Sequence, residues 1–334
     1  MKKFFAILLA FSLIFAMAMT ASASKKIKIS VSHSNTSYVY KAAEEFARRA
    51  NEYSGGSLEF EVVPDGVLYD GNVSYGIQQF SKGELPIVVL STATYTNFVP
   101  GFNVISVPYM FDDQEQLLKY LDSDIGVELF NRVNLMGITV IGKWTRSFRI
   151  ITNSKRPIKN PEDLQGITLR VPNNPLYVEF FTACGAVTAP MDFSSVYNAL
   201  EKEYINGQDN PIDVAFSNKF YNVQKYISFT NHMADVWLAG INTKFFKKLS
   251  AKERNAIERA GEEVQEWNVN MITEQEKFVL ETLLKNGMEA NEISKEAQQK
   301  FIEISKSCYE KFRQLIRDDA LFDATAKFTG RMKE

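Results

Sequence analysis

In GITLRVPNNPLYVEFFTACGAVTAP, residues 166–190, the pattern of apolar residues changes twice. ITLRVP is an apolar run that stops at Pro172, which suits a strand covered on both faces. PLYVEFFTAC is helix-compatible and ends at Gly185, a common helix stop, and VTAP is extended again. Strand, helix and strand in this order read as one unit of an α/β fold. The first strand holds a single charge, Arg170. A guanidinium keeps its proton when buried and offers a planar fork of donors. In an apolar strand it must meet an anion, either an acidic side chain of the fold or an acidic ligand.

The alternation continues on both sides. KIKISVSHS places Ile27, Ile29 and Val31 at strand spacing, and YVYKAAEEFARRANEY puts Ala42, Phe46, Ala50 and Tyr53 on one helix face before Gly55-Gly56 ends it. LEFEVVP alternates, 72–82 is helix-compatible, and LPIVVLST reads as a strand covered on both sides. Gly66, Gly71 and Gly76 read as turns, and EQLLKYLDSDIGVELFNRV as one amphipathic helix. Beyond VTAP, SSVYNALEKEYIN is a helix begun by Ser194 or Ser195, and Asn206-Gly207 turns the chain into QDNPIDVAFS. Ser250 and Glu253 form a capping box. The helix it opens runs to Asn286-Gly287, roughly 52 Å if unbroken, with Gly261 as a point of weakness. A helix of that length reads as a strut touching two domains.

Composition excludes several classes. MKKFFAILLAFSLIFAMAMTASA, residues 1–23, has the charged, apolar and cleavable order of a secretory signal. Its loss removes Lys2 and Lys3 and no acid, taking the net charge from −2 to about −4, which argues against a nucleic-acid partner. The roughly 310 residues that remain exceed what one core usually serves, so two domains are expected. Cys184 and Cys308 lie in helix-like runs that suit buried thiols, though an exported chain could pair them. The two histidines, His33 and His232, form no metal signature, and no GxSxG, GxxxxGK[ST] or GxGxxG is present. No metal or cofactor is expected.

Four blocks taken together resemble the solute-binding protein of a tripartite ATP-independent periplasmic (TRAP) transporter, of the DctP type. They are KAAEEFARRANEYSGGSLEFEV, VPYMF, the stretch from FRIITN to GQDNPID, and KFYNVQKYISFTNH. The resemblance implies a two-lobed periplasmic binding protein, type II-like, with mixed sheets flanked by helices and a long C-terminal helix spanning both lobes. The implied lobes are 24–147 plus 236–275 and 148–235 plus 276–334. It also implies a monomer that closes over one carboxylate ligand, a dicarboxylate, sugar acid or keto acid, and delivers it to membrane subunits driven by an ion gradient.

By the same resemblance, Arg170 forms a bidentate salt bridge to the ligand carboxylate, Asn210 of GQDNP hydrogen-bonds the ligand, and Phe193 of PMDF packs on it. Arg149 corresponds to a second basic position near the ligand, with Arg146 close by in an altered block, WTRSFR. Asn35, Ser91 and Tyr95 are the candidates from the first lobe, and Trp237 and His232 shape the pocket or fill core. From the residues alone, Asn210 could instead form a turn before Pro211. Two departures stand out: Ile205-Asn206-Gly207 replaces Val-Asp-Gly, and Pro86 replaces an Asp. The competing reading is a secreted two-lobed hydrolase or lyase, which needs an acid/base pair or an activated nucleophile that two histidines scarcely supply.

Overall fold

The computed structural model describes residues 24–332; the signal expected at 1–23 lies outside the described residues. The strands are β1 (Lys25–Val31), β2 (Leu58–Val63), β3 (Ile87–Ser91), β4 (Ile138–Thr145), β5 (Arg149–Asn153), β6 (Thr168–Val171), β7 (Val187–Pro190), β8 (Gly207–Asn210), β9 (Tyr226–Met233), β10 (Val236–Asn242) and β11 (Glu289–Glu292). The helices before β8 are α1 (Tyr38–Ser54), α2 (Val73–Lys82), α3 (Gln114–Asp122), α4 (Asp124–Asn131), α5 (Pro175–Ala183) and α6 (Val196–Glu201). After β8 come α7 (Ile212–Ser217), α8 (Thr243–Lys247), α9 (Ala251–Lys285), α10 (Lys295–Ser307), α11 (Tyr309–Ile316) and α12 (Asp319–Phe328).

Two mixed sheets result. The first has the order β2-β1-β3-β10-β4, with β1 parallel to β2 and β3, and β10 antiparallel to both its neighbours. The second has the order β11-β9-β5-β8-β6-β7. Its β6, β7 and β8 are parallel, and β5 runs against β8 and β9. The chain passes from the first sheet to the second at 146–148 and returns at 234–235. These passages lie side by side, the Arg146 amide donating to the Asp235 carbonyl at 2.9 Å.

The third link is α9. Its start is the expected capping box, with Ser250 Oγ accepting from the Glu253 amide at 3.2 Å and the Glu253 carboxylate accepting from the Ser250 amide at 2.7 Å. Its first half packs against α1 and β4, burying Ile257, Ala260 and Val264. Its second half buries Met271, Ile272, Val279 and Leu283 with α7 under the second sheet. Gly261 is not a weak point: a Cβ there would stand 1.6 Å from the Ile141 carbonyl oxygen, so a bare backbone is what lets the helix lie on β4. α11 packs on both α5 and the 3-10 segment Pro100–Ser106. No helix among the described residues is long and apolar enough to cross a membrane.

The single helix expected at 115–133 is two, α3 and α4. Ser123 sits between them in extended backbone; its amide closes α3 and its hydroxyl accepts from Gly126 N at 3.3 Å to open α4. A Cβ at Gly126 would be 2.2 Å from the Tyr120 carbonyl, so the tight junction needs glycine. Gly66 and Gly71 are positive-φ turns, but Gly76 belongs to α2, where the Tyr69 ring occupies the place of its Cβ. The helix expected over 194–206 starts at Val196 and ends at Glu201, where Glu203 adopts positive φ and turns the chain toward β8.

Candidate functional site

Arg170 stands near the C-terminal end of β6, flanked by β7 and β8, and is 4% exposed. Its Nε and Nη2 donate to the Met191 carbonyl at 3.2 and 2.7 Å, and the guanidinium carbon lies 5.8 Å from the centre of the Phe193 ring. Nη1 makes no hydrogen bond, and among the described residues no carboxylate is within ion-pair distance of Arg170. Burial pushes the guanidinium down to about 10, a cost that the field of Asp209 offsets only in part. At neutral pH it remains a buried cation without a counter-ion.

The other two arginines are in the opposite condition. Arg146 Nη2 lies 2.6 Å from Asp213 Oδ1, and its Nη1 lies 3.2 Å from Asp235 Oδ2. Arg149 Nε lies 2.6 Å from Asp209 Oδ2 and its Nη1 3.3 Å from Asp235 Oδ2, while Nη2 donates to the Asp209 carbonyl at 2.6 Å. Burial raises the Asp209 carboxyl, but Arg149 and His232 outweigh it and hold it at about 2. His232 is kept neutral by burial, with Nδ1 against Thr230 Oγ1 at 2.8 Å. This network crosses the two passages between the sheets.

Asn210 ends β8 beside them. Its Nδ2 donates to Gln208 Oε1 at 2.6 Å, Gln208 Nε2 donates to Thr152 Oγ1 at 2.8 Å, and Thr152 donates to Gln224 at 3.2 Å. The chain of donors orients the amide and leaves Asn210 Oδ1 as an acceptor. Its side chain is in this relay, not in a turn before Pro211.

Arg170, Asn210, Arg149, Phe193, Ser91 and Trp237 line one cavity of about 70 Å³ between the sheets, with His33 added to them. His33 stacks on Phe193 with ring centres 4.2 Å apart and planes 2° from parallel, and meets Trp237 edge-on at 4.7 Å. Ser91 Oγ donates to Asp235 at 3.2 Å. Two expected contributors are elsewhere. Asn35 is exposed outside the cavity, because the loop turns into the cap of α1 after His33. Tyr95 is fully buried against Phe102, because the 3-10 turn Thr92–Thr94 swings it into the first-lobe core. Both thiols, Cys184 and Cys308, are free and buried.

His33 and the three aspartates were missed in the sequence. The signal for His33 was the period of β1, since it continues the set Ile27, Ile29, Val31 by one more step. Asp235, a lone acid in the run MADVWLAG, called for the same question as Arg170. A much larger cavity, about 680 Å³, is lined by none of these groups and runs along α9 at Val269, Ile272 and Leu280. Its lining includes Phe148, Phe229 and Ile302, and its charged residues include the Arg331–Asp112 pair. Size alone does not make it the site.

The profile of the family described as DctP, bacterial extracellular solute-binding protein, family 7, matches residues 29–315. The 2,3-diketo-L-gulonate-binding periplasmic protein of Escherichia coli K12 is 30% identical over 256 residues, covering 77% of each chain. The C4-dicarboxylate-binding protein of Bacillus subtilis is 30% identical over 283 residues, 83% of this chain and 80% of that one. Among solved structures, a sugar acid binding protein from Advenella mimigardefordensis in complex with galactonate superposes with a TM-score of 0.87 at 26% identity, covering 92% of this chain and 99% of that one. With the profile spanning most of both lobes and the same fold in a solute-binding relative, the chain belongs to the bacterial extracellular solute-binding proteins of family 7.

Proposed function

We propose that this chain captures a small organic acid between its two sheets, holds the carboxylate with Arg170, and delivers it unaltered to the membrane subunits of a TRAP transporter. The observation that carries the reading is Arg170, a buried cation with a free edge and no counter-ion in a cavity between two linked sheets. A carboxylate on that edge restores the charge balance through a short charge-assisted bond. The names of the relatives, which bind sugar acids and C4-dicarboxylates, support an acid as ligand. Asn210 supplies a second polar contact and Phe193 an apolar wall, while Arg149 acts by holding Asp209 and Asp235 in place.

In this reading the chain works in the periplasm as a monomer, exported by cleavage of 1–23. Its lobes are 24–147 with 236–275 and 148–235 with 276–334, and the hinge lies at the passages at 146–148 and 234–235. It is a receptor and not an enzyme. Asp209 and Asp235 face arginines, and neither is poised to take a proton from a ligand. The experiment is titration calorimetry of the mature chain with organic acids, alongside Arg170→Ala, and recovery of the bound acid for mass and chiral analysis. Affinity that survives Arg170→Ala removes the clamp. Recovered acid of altered mass or configuration makes the chain an enzyme.

A further inference from the structure

We infer that the acid is small and singly charged, about three or four carbons long, with an oxygen on the carbon next to its carboxylate. This rests on the carboxylate clamp proposed above and narrows it. Three features of the cavity lead to it: volume, charge and unpartnered nitrogens.

The cavity measures about 70 Å³, a few times the roughly 10–15 Å³ that a single water needs, which is small for a six-carbon acid. Trp237, His33 and Phe193 occupy the space that a longer acid would need. The His33 ring centre lies 4.2 Å and the Arg170 guanidinium carbon 5.8 Å from the centre of Phe193. The two ends of the site are therefore separated by no more than the sum of those distances.

Charge gives the second restriction. Of the three arginines lining the cavity, Arg146 and Arg149 are ion-paired with Asp209, Asp213 and Asp235, although Arg146 Nε has no hydrogen-bond partner, and only Arg170 has no carboxylate of its own. A second carboxylate on the ligand would meet only cations already balanced by Asp209, Asp213 and Asp235, and would face Asp192 and Asp235, which also line the cavity. His33 does not supply one, since burial and the nearby arginines hold its imidazole neutral.

The third feature is polar. His33 Nε2 and Trp237 Nε1 are buried without a hydrogen-bond partner, and both residues belong to the cavity wall. An indole N–H only donates, so the group it meets must accept. Leaving both unpaired costs stability that a ligand oxygen recovers. Because the site is short, that oxygen sits close to the clamped carboxylate, as in a 2-hydroxy or 2-oxo acid.

The test is calorimetric titration of the chain from residue 24 onward with lactate, pyruvate, propionate, succinate and galacturonate. Lactate or pyruvate is expected to bind at least tenfold tighter than the other three. Propionate equal to both removes the oxygen contact, and succinate or galacturonate tighter than both removes the limits on charge and size, with the clamp intact in each case. Silence from the whole panel, or affinity that survives Arg170→Ala, overturns the clamp and this inference with it. Trp237→Ala enlarges the cavity and is expected to raise galacturonate affinity at least tenfold; His33→Ala does the same from a residue outside the sheet cores if the first variant fails to fold. No gain in a folded variant overturns the assignment of the wall.

Discussion

At the scale of single residues, the three arginines make opposite demands on the fold. Arg149 pairs with two buried carboxylates, and since Asp235 keeps Arg146 while Asp209 keeps no other arginine, Arg149→Met strands Asp209 and is expected to cost about 3–5 kcal/mol in urea unfolding. Arg170 holds none, and burying its charge carries a desolvation cost that lowers the guanidinium to about 10. Arg170→Met is therefore expected to leave the ligand-free protein as stable as before or more so, by up to about 2 kcal/mol, while binding is lost. Arg170→Lys should lose binding nearly as fully, because an ammonium cannot form the two-pronged contact. A large destabilisation by Arg170→Met means that the cation has a partner in the fold. The Asp209 carboxyl gives a matching pH prediction. Its folded value, about 2, lies below the ordinary 3.8, so its contribution to stability is complete above pH 4 and disappears as the pH falls toward 2. Acid unfolding of Asp209→Asn should lack that part of the slope.

At the scale of elements, α9 and its contact with β4 tie the long helix to the first sheet. Alanine is a better helix former than glycine by about 1 kcal/mol, and from the helix alone Gly261→Ala should stabilise. The added methyl group has no room above the Ile141 carbonyl, and the helix must lift from the sheet. We expect a loss of roughly 3 kcal/mol, read as a drop in thermal midpoint. A gain in midpoint refutes the close approach. The break between α3 and α4 follows the same logic, because glycine and serine serve a contact that is not along the helix.

For the whole molecule, the two sheets share one hydrophobic cluster that includes Leu90 and Leu238 of the first and Leu169 and Val171 of the second, and polar contacts join the segment before α1 to the end of α7. The hydroxyls of Ser34 and Thr36 donate to the Ser217 carbonyl at 3.4 and 3.2 Å, and a Cβ on Gly71 would stand 3.0 Å from Ser194 Oγ. In the proposed function the acid bridges the two lobes, and it then favours a closed arrangement to the extent that it binds that state better. Small-angle scattering should show a smaller radius of gyration when a binding acid is added, and Arg170→Ala should not respond. An unchanged radius at saturation means a rigid site.

Periodicity, caps and stops are local properties, and they were legible in the sequence: the α/β alternation, the capping box at Ser250 and the helix stop at Gly55 need only near neighbours along the chain. Arg170 was legible too, because a lone cation in an apolar strand raises a question of charge by itself. Whether its anion belonged to the fold or to a ligand was open. Tertiary structure placed Asp209, Asp213 and Asp235 around Arg146 and Arg149, from positions up to 89 residues apart in sequence, and left Arg170 without one. The same folding turned Tyr95 into the core and brought His33 onto Phe193, 160 residues away. Burial and pairing are properties of the packed solid, set by which strands lie side by side. No window of sequence contains that information, and so the elements were readable while the composition of the cavity was not.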